Sequence, residues 1–234
     1  MSGDTFADYA ADRDEPRFTD WLRERSEPAW SDAVDHRFTQ ELGAGTLDAD
    51  VMAEYLRQDY AFVDTLVGVF GYAVGQAPTM TEKRRFVEFL DVITDDENDY
   101  FERSFDALDV PAERWHDPER TAATESFIDL LLAAKAQGGY AETLAVLVPA
   151  EWIYLSWATR EADDRPAEFY LAEWIDLHAN DGFVAFVNWL REQLDVVGPT
   201  LSARRRRRVA RLFERTVNHE VGFFDAAYDQ TGER

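Results

Sequence analysis

Apolar residues recur at intervals of three or four along the whole chain, and nowhere do they alternate with polar ones over a strand's length. That period belongs to helices packed along one stripe. With 12 glycines and 8 prolines in 234 residues, few points interrupt it. The first helical segment is expected from Glu15 to Gln40, broken near "SEPAW", where Ser26 can cap and Pro28 can enter a first turn. Asp48 or Asp50 caps a helix to Gly75, and Thr81 caps another through Leu108. "DVPAERWHDPER" reads as a loop. Helices then follow from Thr121 to "QGGY", from Ala141 to "EADDRP", from Pro166 to His178, over 183–195 and over 202–228. The expectation is an all-α, single-domain bundle of about eight helices spanning 1–234, with 1–14 a poorly ordered acidic N-terminus.

Charge and cysteine content narrow the chemistry. The chain has no cysteine, which excludes disulfides, thiolate-held clusters and a thiol nucleophile. No apolar run reaches the roughly 18 residues of a membrane span, and the N-terminus lacks the regions of a signal peptide. A cytoplasmic protein without membrane contact is expected. Its 47 acidic against 24 basic residues give a net charge of -23, which disfavours nucleic acid as a partner. Lys83 and Lys135 are the only lysines. The acidic balance suggests a halophilic protein, whose self-repulsion is screened by salt. Against it stands one basic run, Arg204 to Arg208, read as a solvated helix face or a subunit contact.

Four carboxylates break the apolar stripes. Glu220 lies on the stripe of Val209, Leu212, Phe213, Thr216 and Phe224. Asp59 sits within that of Tyr55, Leu56, Phe62, Val63 and Leu66. Glu97 shares a face with Phe86, Leu90, Ile93 and Phe101, and Glu151 with Leu147, Val148, Tyr154 and Leu155. An unpaired buried carboxylate is costly, so each must be neutralised, hydrogen-bonded or matched to something bound. Pro149, inside its helix, cannot donate to the carbonyl of Ala145, and a bend there would make room beside Glu151.

Two chemistries suit inward acids. A di-metal site would take Glu-x-x-His pairs from two helices, but Tyr100, Tyr154 and Phe223 occupy the i+3 positions after Glu97, Glu151 and Glu220. A haem would need an axial histidine such as His36. The other chemistry is recognition of a planar, nitrogen-rich ring, with carboxylates accepting from its N–H groups and aromatics stacking on its faces. His178 and the Tyr154 phenol are the natural neutral partners. No cofactor and no metal are expected.

Several segments in this order resemble the TenA/thiaminase II family, whose fold is the haem-oxygenase-like helical bundle. They are "HRFTQELGAGTLDADVMAEYLRQDYAFV", "LVPAEWIY", "WIDLHANDGFVAFV" and "NHEVGFFDAAY". In the larger branch the residue after the proline of "LVPAEWIY" is a catalytic cysteine; here it is Ala150, and Glu151 beside it resembles the Glu-type branch. The resemblance implies thiamin salvage, by hydrolysis of aminomethyl- or formylaminomethyl-pyrimidines to the hydroxymethyl precursor, in a homotetramer. It implies Glu151, Glu220 and Tyr154 as catalytic residues and Asp59 as the anchor of the pyrimidine amino group. Phe62, Phe127 and His178 take the places of ring-contacting tyrosines. Glu97 and His178 are expected either in the pocket wall or just behind the residues that touch the substrate. A metal-dependent oxidase of the same architecture and a non-catalytic pyrimidine-binding protein are the alternatives.

Overall fold

The computed structural model describes residues 5–161 and 165–229, without the side chain of residue 96. Among the described residues there is no strand. Four short helices come first: α1 (Phe6–Ala11), α2 (Phe18–Arg25), α3 (Ala29–Val34) and α4 (Arg37–Gly43). A long α5 (Ala49–Gln76) is followed by α6 (Met80–Thr94), α7 (Asp96–Ala107) and α8 (Ala112–Trp115). The bundle closes with α9 (Ala122–Gln137), α10 (Tyr140–Glu161), α11 (Phe169–Ala179), α12 (Asp181–Val197) and α13 (Ala203–Asp229), with a short 3-10 turn at Gly198–Thr200.

The axis of the bundle is α10. Every residue from Ala141 to Leu155 is buried, because the helix is apolar on all sides and can be stable only when surrounded. It contacts α5, α9, α11, α12 and α13, which form the surrounding layer. The helix runs through Pro149 without interruption. No helix among the described residues is long and apolar enough to cross a membrane.

Several boundaries differ from those read in the sequence, each for a local reason. The N-terminal stretch expected to lack order over 1–14 holds α1, because Thr5 and Asp8 cap it reciprocally and Phe6 packs edge-on against Phe18 at 5.1 Å; residues 1–4 lie outside the described residues. The segment Glu15–Gln40 divides into three helices. Ser26 does not cap the next one: its hydroxyl donates back to the Leu22 carbonyl at 2.9 Å. Asp48, rather than Asp50, caps α5, accepting from the Asp50 amide at 2.8 Å. Thr79, rather than Thr81, starts α6, its amide donating to Glu82 at 2.9 Å. The helix expected to run unbroken to Leu108 stops at Thr94, whose hydroxyl donates to the Leu90 carbonyl at 2.6 Å, and resumes at Asp96. The loop "DVPAERWHDPER" contains the single turn α8 behind Pro111. Asn180 shortens the expected "ANDG" turn by capping α12 two residues early, accepting from the Phe183 amide at 2.9 Å. Residues 162–164 of "EADDRP" lie outside the described residues.

Candidate active site

Asp59 near the middle of α5, Glu151 on α10 and Glu220 on α13 are 4%, 7% and 2% exposed, and all three line one cavity of about 440 Å³. That volume falls within the ~300–1,000 Å³ of small-ligand pockets. Each acid sits where an apolar stripe turns toward the bundle interior, so the helices that bury their stripes bring the carboxyls together. Glu97, at the start of α7, joins the lining but is only half buried. Although α6 and α7 are separate helices, the break keeps Ile93 and Glu97 on the same wall.

Among the described residues, none donates a hydrogen bond to the carboxyl groups of Asp59, Glu97, Glu151 or Glu220. Burial therefore acts on them without compensation. It pushes Asp59 up to about 8. Burial and then the neighbouring charge of Asp59 push Glu151 to about 8. Glu220 and Glu97 are raised well above the ordinary range, by burial first and then by the charges of Asp59 and Glu151. Mutual electrostatic influence of this kind requires the carboxyls to share one low-dielectric space.

Tyr154 and Tyr55 share a hydrogen bond between their hydroxyls of 2.6 Å. Tyr154 lines the cavity three residues after Glu151, whereas Tyr55 stands behind it, fully buried. His178 on α11 also lines the cavity, with its ring 4.9 Å from that of Tyr154 and 4.4 Å from that of Trp174. Its Nδ1 lies 2.9 Å from the Trp174 carbonyl, which can only accept, so Nδ1 carries the proton. Burial lowers this histidine to about 4, leaving a neutral ring with Nε2 as an acceptor. The Trp174 indole N–H has no partner among the described residues.

Phe62 lines the cavity as expected. Phe127 does not: it packs behind Phe62, with the ring centroids 4.6 Å apart, and stacks on His219 at 5.3 Å. The sequence places it on an inward helix face but does not show that Phe62 intervenes. Tyr55 was missed as a member of the site, although its position four residues before Asp59 puts the two on one face of α5. Ala150 lines the cavity beside Glu151. The remainder is apolar apart from Asn180, with Phe89 and Phe186 stacked at 3.7 Å, and the rim carries the partly exposed Arg85 and Glu88, 3.7 Å apart.

His36, the haem candidate, caps α4 by accepting from the Phe38 amide at Nδ1, and its Nε2 lies 3.1 Å from Asp225. Among the described residues no three His, Asp or Glu side chains are grouped to hold a metal ion. Four acceptor-rich carboxyls in an aromatic cavity suit a flat ligand that brings its own N–H donors.

The chain is similar to the aminopyrimidine aminohydrolase of Halalkalibacterium halodurans, 26% identical over 201 residues, which are 84% of this chain and 88% of that protein. Its fold is that of a TenA family transcription regulator from a Silicibacter species, at a TM-score of 0.82 and 24% identity over 90% of this chain and 96% of the other. A Shewanella denitrificans domain with a heme oxygenase-like fold superposes at a TM-score of 0.67 and 12% identity, over 92% and 93% of the two chains. These two likenesses establish the all-α, haem-oxygenase-like architecture and nothing of the chemistry. The family model for TENA/THI-4/PQQC proteins matches residues 23–230, a span that contains every residue of the cavity, and the chain therefore belongs to the TENA/THI-4/PQQC family.

Proposed function

We propose that the chain is a cysteine-independent aminopyrimidine aminohydrolase of thiamin salvage, converting aminomethyl- or formylaminomethyl-pyrimidines to the hydroxymethyl compound. The observation that carries this reading is the set of three buried carboxyls facing one cavity without a protein donor. An aminopyrimidine supplies the missing donors from its amino group and protonated ring, and its flat faces fit between Phe62, Tyr154 and His178. The curated relative's activity and the family membership support the same substrate class.

In this reading Asp59 accepts from the pyrimidine amino group. Glu151, ionised once the donor-rich ring has replaced its missing partners, takes a proton from water, and the water oxygen bonds to the exocyclic carbon. Glu220 gives its proton to the departing nitrogen as the C–N bond breaks, so water and the aminomethyl compound become the hydroxymethyl compound and ammonia. For the formylated substrate the same pair first adds water to the amide, releasing formate and leaving the aminomethyl compound, which then loses ammonia by the same route. The division of roles follows from the shifts: burial first, then Asp59 and Glu151, raises Glu220 well above the ordinary range, whereas Glu151 is raised to about 8, so Glu220 is the better proton holder. Tyr154, fixed by Tyr55, orients the Glu151 carboxylate. Ala150 leaves this position without a nucleophile, which makes water the attacking group. The family resemblance supports a cytoplasmic homotetramer.

Glu151→Gln keeps the volume and removes the base. Aminomethyl-pyrimidine turnover, followed by mass spectrometry, is expected to fall by about 10²–10⁴-fold, with the circular dichroism melt at pH 6, where the ligand-free Glu151 is protonated, unchanged. Full activity in this variant overturns the role, and turnover of intact thiamin faster than of the aminomethyl compound overturns the substrate.

A further inference from the structure

The basic run at the start of α13 is not an evenly solvated face. Arg204, Arg208, Arg211 and Arg215 are spaced four, three and four apart, which at 3.6 residues per turn keeps them within a sector of about 60° over a length of about 16 Å. They line one groove of about 610 Å³ between α13 and α9, whose walls include Leu130 and Leu212. Arg205 shares the groove and is held by Glu142, at 2.6 Å. Among the described residues, Arg204, Arg208, Arg211 and Arg215 form no ion pair.

Several arginines elsewhere in the chain do find acids. Arg84 meets Glu88 at 2.8 Å, Arg103 meets Glu173 at 2.5 Å, and Arg191 meets Asp20 at 2.9 Å. In a sequence with twice as many acids as bases, unpaired arginines are to be expected anywhere except together. Like charges at i, i+4 destabilise a helix, and four of them on one stripe call for an anion to offset them. Guanidinium forks match phosphate oxygens in a bidentate geometry that no single ammonium group offers.

We propose that the α9–α13 groove is a second binding site, for a small molecule carrying two or more phosphates. Four guanidinium groups exceed what one phosphate can engage, and the groove's length accommodates a diphosphate with an organic body against Leu130 and Leu212. The groove shares no lining residue with the carboxylate cavity, so its occupancy and the aminohydrolase activity can be tested separately.

Calorimetric titrations at fixed ionic strength, with pyrophosphate, a nucleoside diphosphate and the bare nucleoside as probes, test the proposal. Saturable binding of either phosphate probe is expected, and none of the nucleoside. Tighter binding of the nucleoside diphosphate assigns the site to organic phosphates, and equal binding to inorganic ones. Arg208→Gln and Arg211→Gln are expected to weaken binding at least tenfold, and Arg84→Gln, on α6, to leave it unchanged. Absence of saturable heat from both phosphate probes overturns the site, as does binding that survives both substitutions. So does a salt-sensitive self-association, seen by sedimentation, that the same two variants abolish, because the groove is then a contact between copies of the chain.

Discussion

Burial raises Glu97, Glu151, Glu220 and Tyr154 first, and the negative charge of Asp59 adds to each of these upward shifts. An aspartate that titrates near 3.8 in the unfolded chain and at about 8 in the folded one binds its proton more tightly when folded. Its contribution to stability is therefore complete below the unfolded value and is lost as the pH rises through about 8. The ligand-free protein is expected to melt lower at pH 8.5 than at pH 5. Asp59→Asn should flatten that slope and melt several degrees above wild type at pH 8.5. Equal slopes for the two proteins in a calorimetric pH series would show that Asp59 is not the buried acid described. Asp59, Glu151 and Glu220 were legible in the sequence because each interrupts an apolar stripe, and an interruption is visible without coordinates. Phe127 was misplaced and Tyr55 overlooked because periodicity gives the direction of a side chain but not its depth.

At the scale of the element, α5 does more than present Asp59. Gln58, beside it, donates to the Glu119 carbonyl at 3.0 Å and accepts from the Thr121 amide at 3.0 Å and the Thr124 hydroxyl at 2.7 Å. Arg57 reaches the Arg114 carbonyl at 2.9 Å. Two consecutive residues thus tie the loop after α7, and the first turn of α9, to the helix that carries the site. Gln58→Leu removes these partners and leaves buried polar groups unsatisfied, a cost of about 1–3 kcal/mol each. A fall in Tm of several degrees is expected by circular dichroism, with hydrogen exchange rising first in residues 116–124. A melt unchanged from wild type would remove the tie. Helix existence and order were readable from period and caps, whereas the break between α6 and α7 was not. There the apolar period continues across Thr94 and Asp95, and the interruption is a local change of backbone angles at Asp95 (φ -113°, ψ -76°), which a stripe of apolar positions does not record.

For the whole molecule the dominant quantity is the net charge of -23. Self-repulsion on that scale acts against any compact state, and salt relieves it by shortening the range of the interaction. The melting temperature is expected to rise by several degrees between dilute buffer and molar KCl, and a melt independent of KCl would remove salt adaptation from the description. Composition alone made this charge legible. The grouping of unpaired arginines in a groove was not, because an arginine's pairing depends on acids far away in sequence, such as Glu173 for Arg103 or Asp20 for Arg191.

The central position of α10 has a further consequence for how the protein fails. The segment that carries Glu151 is the one most thoroughly enclosed by other helices, so no fraying of the periphery can release the reactive acid while the interior stays intact. Catalytic competence and global order should then vanish along a single denaturation curve, without a folded but inert species between them.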